Sequence, residues 1–133
     1  MTTCDEELIA WNGDGFPPAV ENIRQRIAQL PQWQTIGVMR GWWPILVRLD
    51  ERLRSVEPSY RLTQVKQKFG SLDVHMKGPV TSDEVRAALA AAEAESRVTC
   101  EACGRPGNGR RSRTGWIGIF CDDHKNYDDE RRD

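Results

Sequence analysis

No stretch of this chain approaches the roughly 20 consecutive apolar residues that a membrane-spanning helix needs. The opening residues, MTTCDEELIAW, also lack the basic start and the apolar run of a secretory signal peptide. The sequence therefore predicts a cytoplasmic protein with no membrane partner. In that reducing compartment, clustered cysteines bind metal more often than they form disulfides.

Net charge is almost absent as well, because 19 basic residues stand against 20 acidic ones. This balance does not favour a dedicated binder of nucleic acid or of an anionic membrane. General disorder is also disfavoured, since 38% of the residues are hydrophobic and five are tryptophan. A chain of 133 residues fits one domain, or a small domain with a metal-stapled appendage.

Two amphipathic helices are predicted in the first half of the chain, after an irregular segment over residues 1–16. The first begins near Pro18 and ends at Pro31, and the second begins near Pro44 and ends before Pro58. Their apolar positions recur at helical spacing: Val20, Ile23, Ile27 and Leu30, then Leu46, Leu49, Leu53 and Val56. Charged residues, including Asp50, are assigned to the outer face of the second helix.

Residues 60–78 change to the period of a β-strand. Apolar residues at alternate positions predict one half-buried strand: Leu72, Val74 and Met76. Leu62 and Val65 predict a partner strand, with a bulge because their spacing breaks the alternation. Since Gly70 lies between the two strands, we predict a β-hairpin.

An alanine-rich helix is predicted over residues 81–97. Thr81 and Glu84 fit a capping box, in which the hydroxyl caps an early N–H and the carboxylate reaches back. One face carries the residues expected to pack: Val85, Ala88, Leu89 and Ala92. These elements predict an α+β domain over residues 1–98, with a zinc-finger module over residues 99–133 packed on it.

Three of the four cysteines and one of the two histidines fall in two short motifs. Cys100 and Cys103 form C-x2-C, and Cys121 and His124 form C-x2-H after a gap of 17 residues. A two-residue spacer lets one tight turn aim both side chains at a common point, and Gly104 supplies the backbone freedom of such a turn. Three thiolates and an imidazole are the soft tetrahedral set that Zn²⁺ prefers.

The segment between the motifs predicts a short hairpin with its turn at Gly115, and CDDH predicts a short helix that carries the last two ligands. Knuckle, hairpin and helix in this order resemble a treble-clef zinc finger. Four protein ligands close a tetrahedral site, whereas a catalytic zinc keeps a position for water. The H-x-E motif of nucleobase deaminases is also missing, because Met76 and Lys77 follow His75. We therefore predict a structural zinc.

Two groups of residues are candidates for binding a partner. Trp42 and Trp43 lie in GWWP and would suit an interaction hot spot, although the alternative is that they belong to the core. Four arginines lie in RPGNGRRSR without an acidic residue among them and would suit phosphates: Arg105, Arg110, Arg111 and Arg113. Here the alternative is a solvated basic loop paired with acidic residues of the tail, Asp128, Asp129 and Glu130.

Two further residues are assigned no chemistry. His75 falls on the polar face of its strand and is interpreted as a solvated surface residue. Cys4 is interpreted as a spare thiol near the start of the chain.

Three stretches together resemble a family of small, largely uncharacterised proteins from phages, prophages and bacteria. They are GWWPILVRLDERL, VKQKFGSLDV and CEACGRPG…GW…FCDDH, within residues 41–124. Members combine an N-terminal α+β segment with a C-terminal C-x2-C-G…C-x2-H finger. The resemblance implies the same four zinc ligands and a phage or prophage setting, and it implies no activity.

Two functions are consistent with these features. The first is a zinc-stabilised, non-enzymatic protein-binding module, for example a phage protein that inhibits a host defence complex such as a CRISPR effector. The alternative is a nucleic-acid-binding regulator that uses the arginine-rich finger hairpin. An enzyme is not expected, because the sequence offers no nucleophile–base pair, no phosphate-cradling loop and no open metal site, and it indicates no small-molecule substrate.

Overall fold

The computed structural model describes residues 5–27 and 35–127 and shows an α+β fold, which confirms the predicted class. In chain order the elements are α1 (Asp5–Ile9), α2 (Pro18–Arg24), β1 (Ile36–Gly37), a first 3₁₀ helix (Arg40–Trp42), α3 (Trp43–Val56), β2 (Leu62–Lys68), β3 (Ser71–Met76), α4 (Asp83–Ser96), β4 (Asn108–Arg111), β5 (Ile117–Phe120) and a second 3₁₀ helix (Asp122–His124). Among these residues, no helix is long and apolar enough to cross a bilayer.

The predicted hairpin is present as the antiparallel pair of β2 and β3. Its register shifts between Leu62 and Gln64, at the place of the expected bulge. Phe69 and Gly70 form the turn, with φ values of 50° and 80°. Strand β1 adds a third, parallel strand beside β2. With only two residues, β1 leaves no periodic pattern in the sequence.

The main core lies where α3 packs on α4 and α4 packs on β3 of the hairpin. The apolar stripe of α3 is buried as predicted at Leu46, Leu49 and Leu53, whereas Val56 is 37% exposed at the helix end. Helix α4 begins one residue later than the predicted capping box. Its N-cap is Ser82, whose hydroxyl accepts a hydrogen bond from the N–H of Val85, so the assignment of the cap to Thr81 is wrong.

Helix α2 is shorter than predicted, because it ends at Arg24 and Gln25 is its C-cap. Ile27, expected on the helix stripe, instead forms a parallel bridge with Leu62. The carbonyl of Arg26 accepts the N–H of Leu62, and this pairing with the sheet replaces a further helical turn. The predicted end at Pro31, and Leu30, lie outside the described residues.

Two other local expectations are corrected. Asp50, assigned to the outer face of α3, is buried, because the hydroxyl of Tyr60 and the Nε of Arg54 both donate hydrogen bonds to it. Within the first 16 residues, expected to be irregular, Asp5–Ile9 form helix α1. This helix buries Leu8 in the main core.

The C-terminal segment is hydrogen-bonded to the elements before it. The carbonyl of Glu101 accepts the N–H of Gly41 at 2.8 Å, and the carbonyl of Thr99 accepts the indole N–H of Trp42 at 2.9 Å. Ile119 of β5 is buried in the same core as α3 and α4. The turn after α4 therefore lies against the first 3₁₀ helix, and β5 shares the main core through Ile119.

Candidate metal centre

The four predicted ligands converge at one point. One ligand atom from each of Cys100, Cys103, Cys121 and His124 lies within 4.8 Å of the other three. The Sγ atoms of Cys103 and Cys121 are 3.7 Å apart. The Nδ1 atom of His124 lies 3.8 Å from Sγ of Cys100 and 3.2 Å from Sγ of Cys121. These side chains are placed to bind a metal ion.

The spacing of the donors can be compared with that of a tetrahedral ion. Bond lengths of about 2.3 Å to sulfur and about 2.0 Å to nitrogen place two thiolates about 3.8 Å apart and a thiolate and an imidazole about 3.5 Å apart. The observed distance of 3.7 Å between two sulfurs is close to the first value, and the distances of 3.2 and 3.8 Å between sulfur and nitrogen lie on either side of the second. The residues therefore fit a tetrahedral ion bound by three thiolates and one imidazole.

The first two ligands sit on a tight turn that follows α4. The N–H of Gly104 donates to the carbonyl of Cys100 at 2.9 Å, and the N–H of Cys100 donates to the carbonyl of Arg105 at 2.7 Å. Gly104 has φ of 79°, and a Cβ there would lie 2.5 Å from Cδ1 of Ile9. The predicted need for glycine thus has two causes, a left-handed backbone and the close approach of α1.

The other two ligands follow β5. Cys121 is the N-cap of the second 3₁₀ helix, and the N–H of His124 donates to its carbonyl at 3.0 Å. The sequence predicted a short helix here, and the described residues form a single 3₁₀ turn. Tyr127 stacks on Phe120 with ring centroids 5.5 Å apart and meets the imidazole of His124 edge-on at 6.1 Å. The Tyr127 ring thus packs against both the strand before the site and the histidine.

The guanidinium of Arg105 lies beside two of the thiols. Its Nε lies 3.4 Å from Sγ of Cys103, and its Nη2 lies 3.8 Å from Sγ of Cys121 and 2.8 Å from Oδ2 of Asp123. Burial favours the neutral Cys103 thiol, but the backbone N–H and the guanidinium of Arg105 outweigh it and hold the pKa below its ordinary value. A metal ion needs this deprotonated form.

The remaining cysteines differ in their surroundings. Burial favours the neutral Cys121 thiol, but the hydrogen bond with His124 and the backbone N–H of Asp123 bring its pKa below the ordinary value. Cys100 is fully buried, and burial raises its pKa. Metal binding would supply the charge that stabilises this third thiolate.

Arg105 and Arg110, predicted from the sequence to bind a partner, both make bonds within the finger. Arg110 donates from Nε to the carbonyl of Phe120 and from Nη2 to Asp122, each at 2.9 Å. The acidic partners are thus Asp122 and Asp123, while Asp128, Asp129 and Glu130 lie outside the described residues. Arg111 and Arg113 are exposed on the hairpin.

The tryptophan assignment is corrected. Trp42 is fully buried and Trp43 is 7% exposed, so neither presents a surface to a partner. Trp42 donates its indole N–H to Thr99, and Trp43 packs edge-on against Phe16 with ring centroids 5.8 Å apart. Both belong to the core where the first 3₁₀ helix enters α3, which was the alternative interpretation.

His75 is exposed, as predicted, and its Nε2 lies 2.9 Å from Asp73. Cys4 lies outside the described residues. No metal ligand is therefore contributed by the described part of the chain from outside residues 100–124.

Glu101 was not predicted from the sequence as a site residue, yet it lies between the first two ligands and is 2% exposed. Its Oε2 accepts the N–H of Ile119 at 2.7 Å and the side-chain amide of Gln67 at 3.2 Å. That amide also donates to the carbonyl of Ile117 at 2.7 Å. Glu101 and Gln67 thus join the metal turn, β5 and β2. The sequence does not indicate this burial, because a charged residue between the two cysteines of a C-x2-C motif is ordinarily expected at the surface.

No family model, no curated protein and no solved structure matches this chain.

Proposed function

We propose that the four ligands bind Zn²⁺ and that the ion is structural. Three sulfur donors and one imidazole favour zinc over the harder cations Mg²⁺ and Ca²⁺. Three distances between donors, of 3.2, 3.7 and 3.8 Å, carry this proposal because they are close to those around a tetrahedral ion, and all four donors lie within 4.8 Å of one another. Arg105 offsets the negative charge that three thiolates leave on a divalent ion.

We further propose that the chain is a non-enzymatic binding module. Four protein ligands fill a tetrahedral coordination shell and leave no position for a catalytic water. The bound ion would hold the turn after α4 against β5, so its contribution is to folding. The resemblance to phage and prophage proteins favours a partner in the host cell. A preference for a protein partner loses its main support, because Trp42 and Trp43 are buried.

Metal analysis of the purified chain tests this proposal first. We expect one zinc per chain by mass spectrometry of the native protein, and no zinc in Cys103→Ser. In the cobalt-substituted protein, the absorption spectrum should be that of a tetrahedral thiolate site and should not change when azide is added. A spectrum that azide perturbs would reveal an open coordination position and would contradict the structural role.

A further inference from the structure

The tips of the two hairpins carry two aromatic side chains that are exposed to solvent. Phe69 is 79% exposed at the β2–β3 turn, and Trp116 is 56% exposed after the β4–β5 turn. Both line one cleft of about 610 Å³, within the usual size range of ligand sites. Neither aromatic belongs to the residues that sequence analysis selected.

The two walls of this cleft are held in a fixed relation. The side-chain amide of Gln67 donates to the carbonyl of Ile117 at 2.7 Å and so joins β2 to β5. At the turn, a Cβ on Gly70 would lie 3.1 Å from Cγ2 of Ile117, so the turn packs closely on β5. The two hairpins that line the cleft are therefore joined to each other by a hydrogen bond and by close packing.

The backbone of Phe69 is strained. Among residues 5–27 and 35–127 it is the one non-glycine residue with positive φ. The left-handed conformation is unfavourable for a side chain with a Cβ, and this turn position normally carries asparagine, aspartate or glycine. Because the ring is mostly exposed, contacts of the ring within the chain do little to offset the backbone strain. Strain of this kind often marks a functional position.

The positive charge of the cleft favours ligands that carry negative charge. Lys68 and Arg111 line it, and none of its described lining residues is acidic. The remaining polar groups are those of Gln67 and Thr114. Two aromatic faces beside two cations suit a ligand that has flat rings and a negatively charged backbone. Single-stranded nucleic acid has both, because bases stack on aromatic side chains while cations track the phosphates.

We propose that the cleft between Phe69 and Trp116 binds single-stranded nucleic acid, with bases stacked on the two rings and phosphates contacted by Lys68 and Arg111. This inference rests on the proposed binding function and names its ligand. It differs from the arginine-rich finger predicted from sequence, since Arg105 and Arg110 hold the finger together and Arg111 is the one member of that set lining the cleft.

Fluorescence anisotropy with labelled oligothymidylate, oligouridylate and a DNA duplex tests the proposal on the zinc-loaded chain. We expect a single strand to bind more tightly than the duplex, and the two homopolymers distinguish DNA from RNA. Trp116→Ala should weaken binding roughly 5- to 150-fold. Replacing both Lys68 and Arg111 with alanine should flatten the slope of log affinity against log salt by about 1.4. Lys77→Ala, an exposed cation outside the cleft, is the control and should change neither quantity.

Phe69→Asn separates binding from folding. Asparagine tolerates the left-handed conformation, so this variant should unfold at a temperature a few degrees higher than the parent. At the same time it should lose a stacking surface and bind the oligonucleotide several-fold more weakly. A merely structural role for Phe69 would move stability and binding in the same direction.

Three results would overturn the cleft proposal. They are absence of oligonucleotide binding at low salt, binding that Phe69→Asn and Trp116→Ala leave unchanged, and equal affinity for the duplex. A purified protein partner whose binding is lost in Phe69→Asn would assign the cleft to protein instead. In that case the binding module would stand and the nucleic-acid inference would fall. Zinc content, measured on the same samples, reports separately on the metal proposal.

Discussion

At the scale of single residues, close approaches of backbone decide which positions tolerate change. Gly41 lies against the metal turn, and its N–H donates to Glu101. A Cβ at Gly41 would lie 2.5 Å from the carbonyl oxygen of Glu101 and closer still to that of Cys100. Both neighbours are backbone atoms of the ligand turn, so neither can move without disturbing the metal site.

Gly41→Ala should therefore destabilise the chain by about 3 kcal/mol or more, since forced overpacking against backbone is costly. Urea denaturation of the zinc-loaded protein measures this. Gly78→Ala is the matched control, because no atom lies within 4 Å of its added Cβ. The cost of that change comes only from the left-handed backbone, with φ of 83°. That control should cost about 1 kcal/mol. Equal losses of unfolding free energy in the two variants would show that the close approach of Gly41 to the ligand turn does not determine which residues position 41 tolerates.

Arg105 gives a second prediction at this scale. Outer-shell partners of metal ligands usually change affinity by about 10- to 100-fold when removed. Arg105→Ala should weaken zinc binding within that range, because it removes the guanidinium beside Cys103 and Cys121. Competition with a chromogenic chelator measures the affinity. Arg111→Ala, on the same hairpin but outside the metal site, should retain zinc as the parent does.

At the scale of elements, helix α4 ends four residues before the first metal ligand, Cys100, so the position of α4 sets the position of that ligand. Ser82→Ala should cost about 1 kcal/mol of stability, because the hydroxyl caps the N–H of Val85 at 3.3 Å. Thr81→Ala should cost much less, since Thr81 lies outside the helix cap. The free energies of unfolding in urea compare the two variants, and the reverse order would contradict the observed start of α4.

This pair of residues also shows how far sequence predicts an element. The apolar period placed α4 correctly, and its face at Val85, Ala88 and Ala92 is buried. The start was misplaced by one residue because Thr81 and Ser82 are both good caps, and only the folded chain selects between them. The two motifs that hold the ligands could be recognised in the sequence, because metal binding constrains both the type of the residues and the spacing between them.

The elements that sequence missed are defined by distant contacts. Ile27 leaves its expected helix because it pairs with Leu62, which is far away in the chain. Glu101 is buried because Ile119 and Gln67 donate to it, and no local pattern records those partners. The cleft at Phe69 and Trp116 likewise requires that two separate hairpins lie side by side.

At the scale of the whole molecule, the metal finger has a small hydrophobic cluster of its own, at Cys100, Phe120 and Cys121, and is joined to the main core through β5 and the turn after α4. Ile119 lies in the main core, and the backbone bond between Gly41 and Glu101 crosses the expected boundary at residues 98 and 99. Removal of the ion should therefore weaken the core of the chain as well as the finger.

Zinc-loaded protein should unfold in a single transition, with far-ultraviolet circular dichroism and tryptophan fluorescence changing together. Chelation with EDTA, or Cys100→Ser, should lower the midpoint and reduce hydrogen-exchange protection in α3 and β5 alike. Two separate transitions, with α3 protected while β5 exchanges freely, would show instead that residues 99–133 form an independent module.

The order of the ligands along the chain affects how the protein is made. His124 is added 24 residues after Cys100. A ribosome that adds roughly 5–20 residues per second takes about 1 to 5 s over that interval. During this time the nascent chain holds two thiols without the other two donors, and Glu101 has not yet met Ile119. The turn that carries Cys100 and Cys103 is therefore made before the strand and the two donors that complete the site, and the finger can close only after that delay.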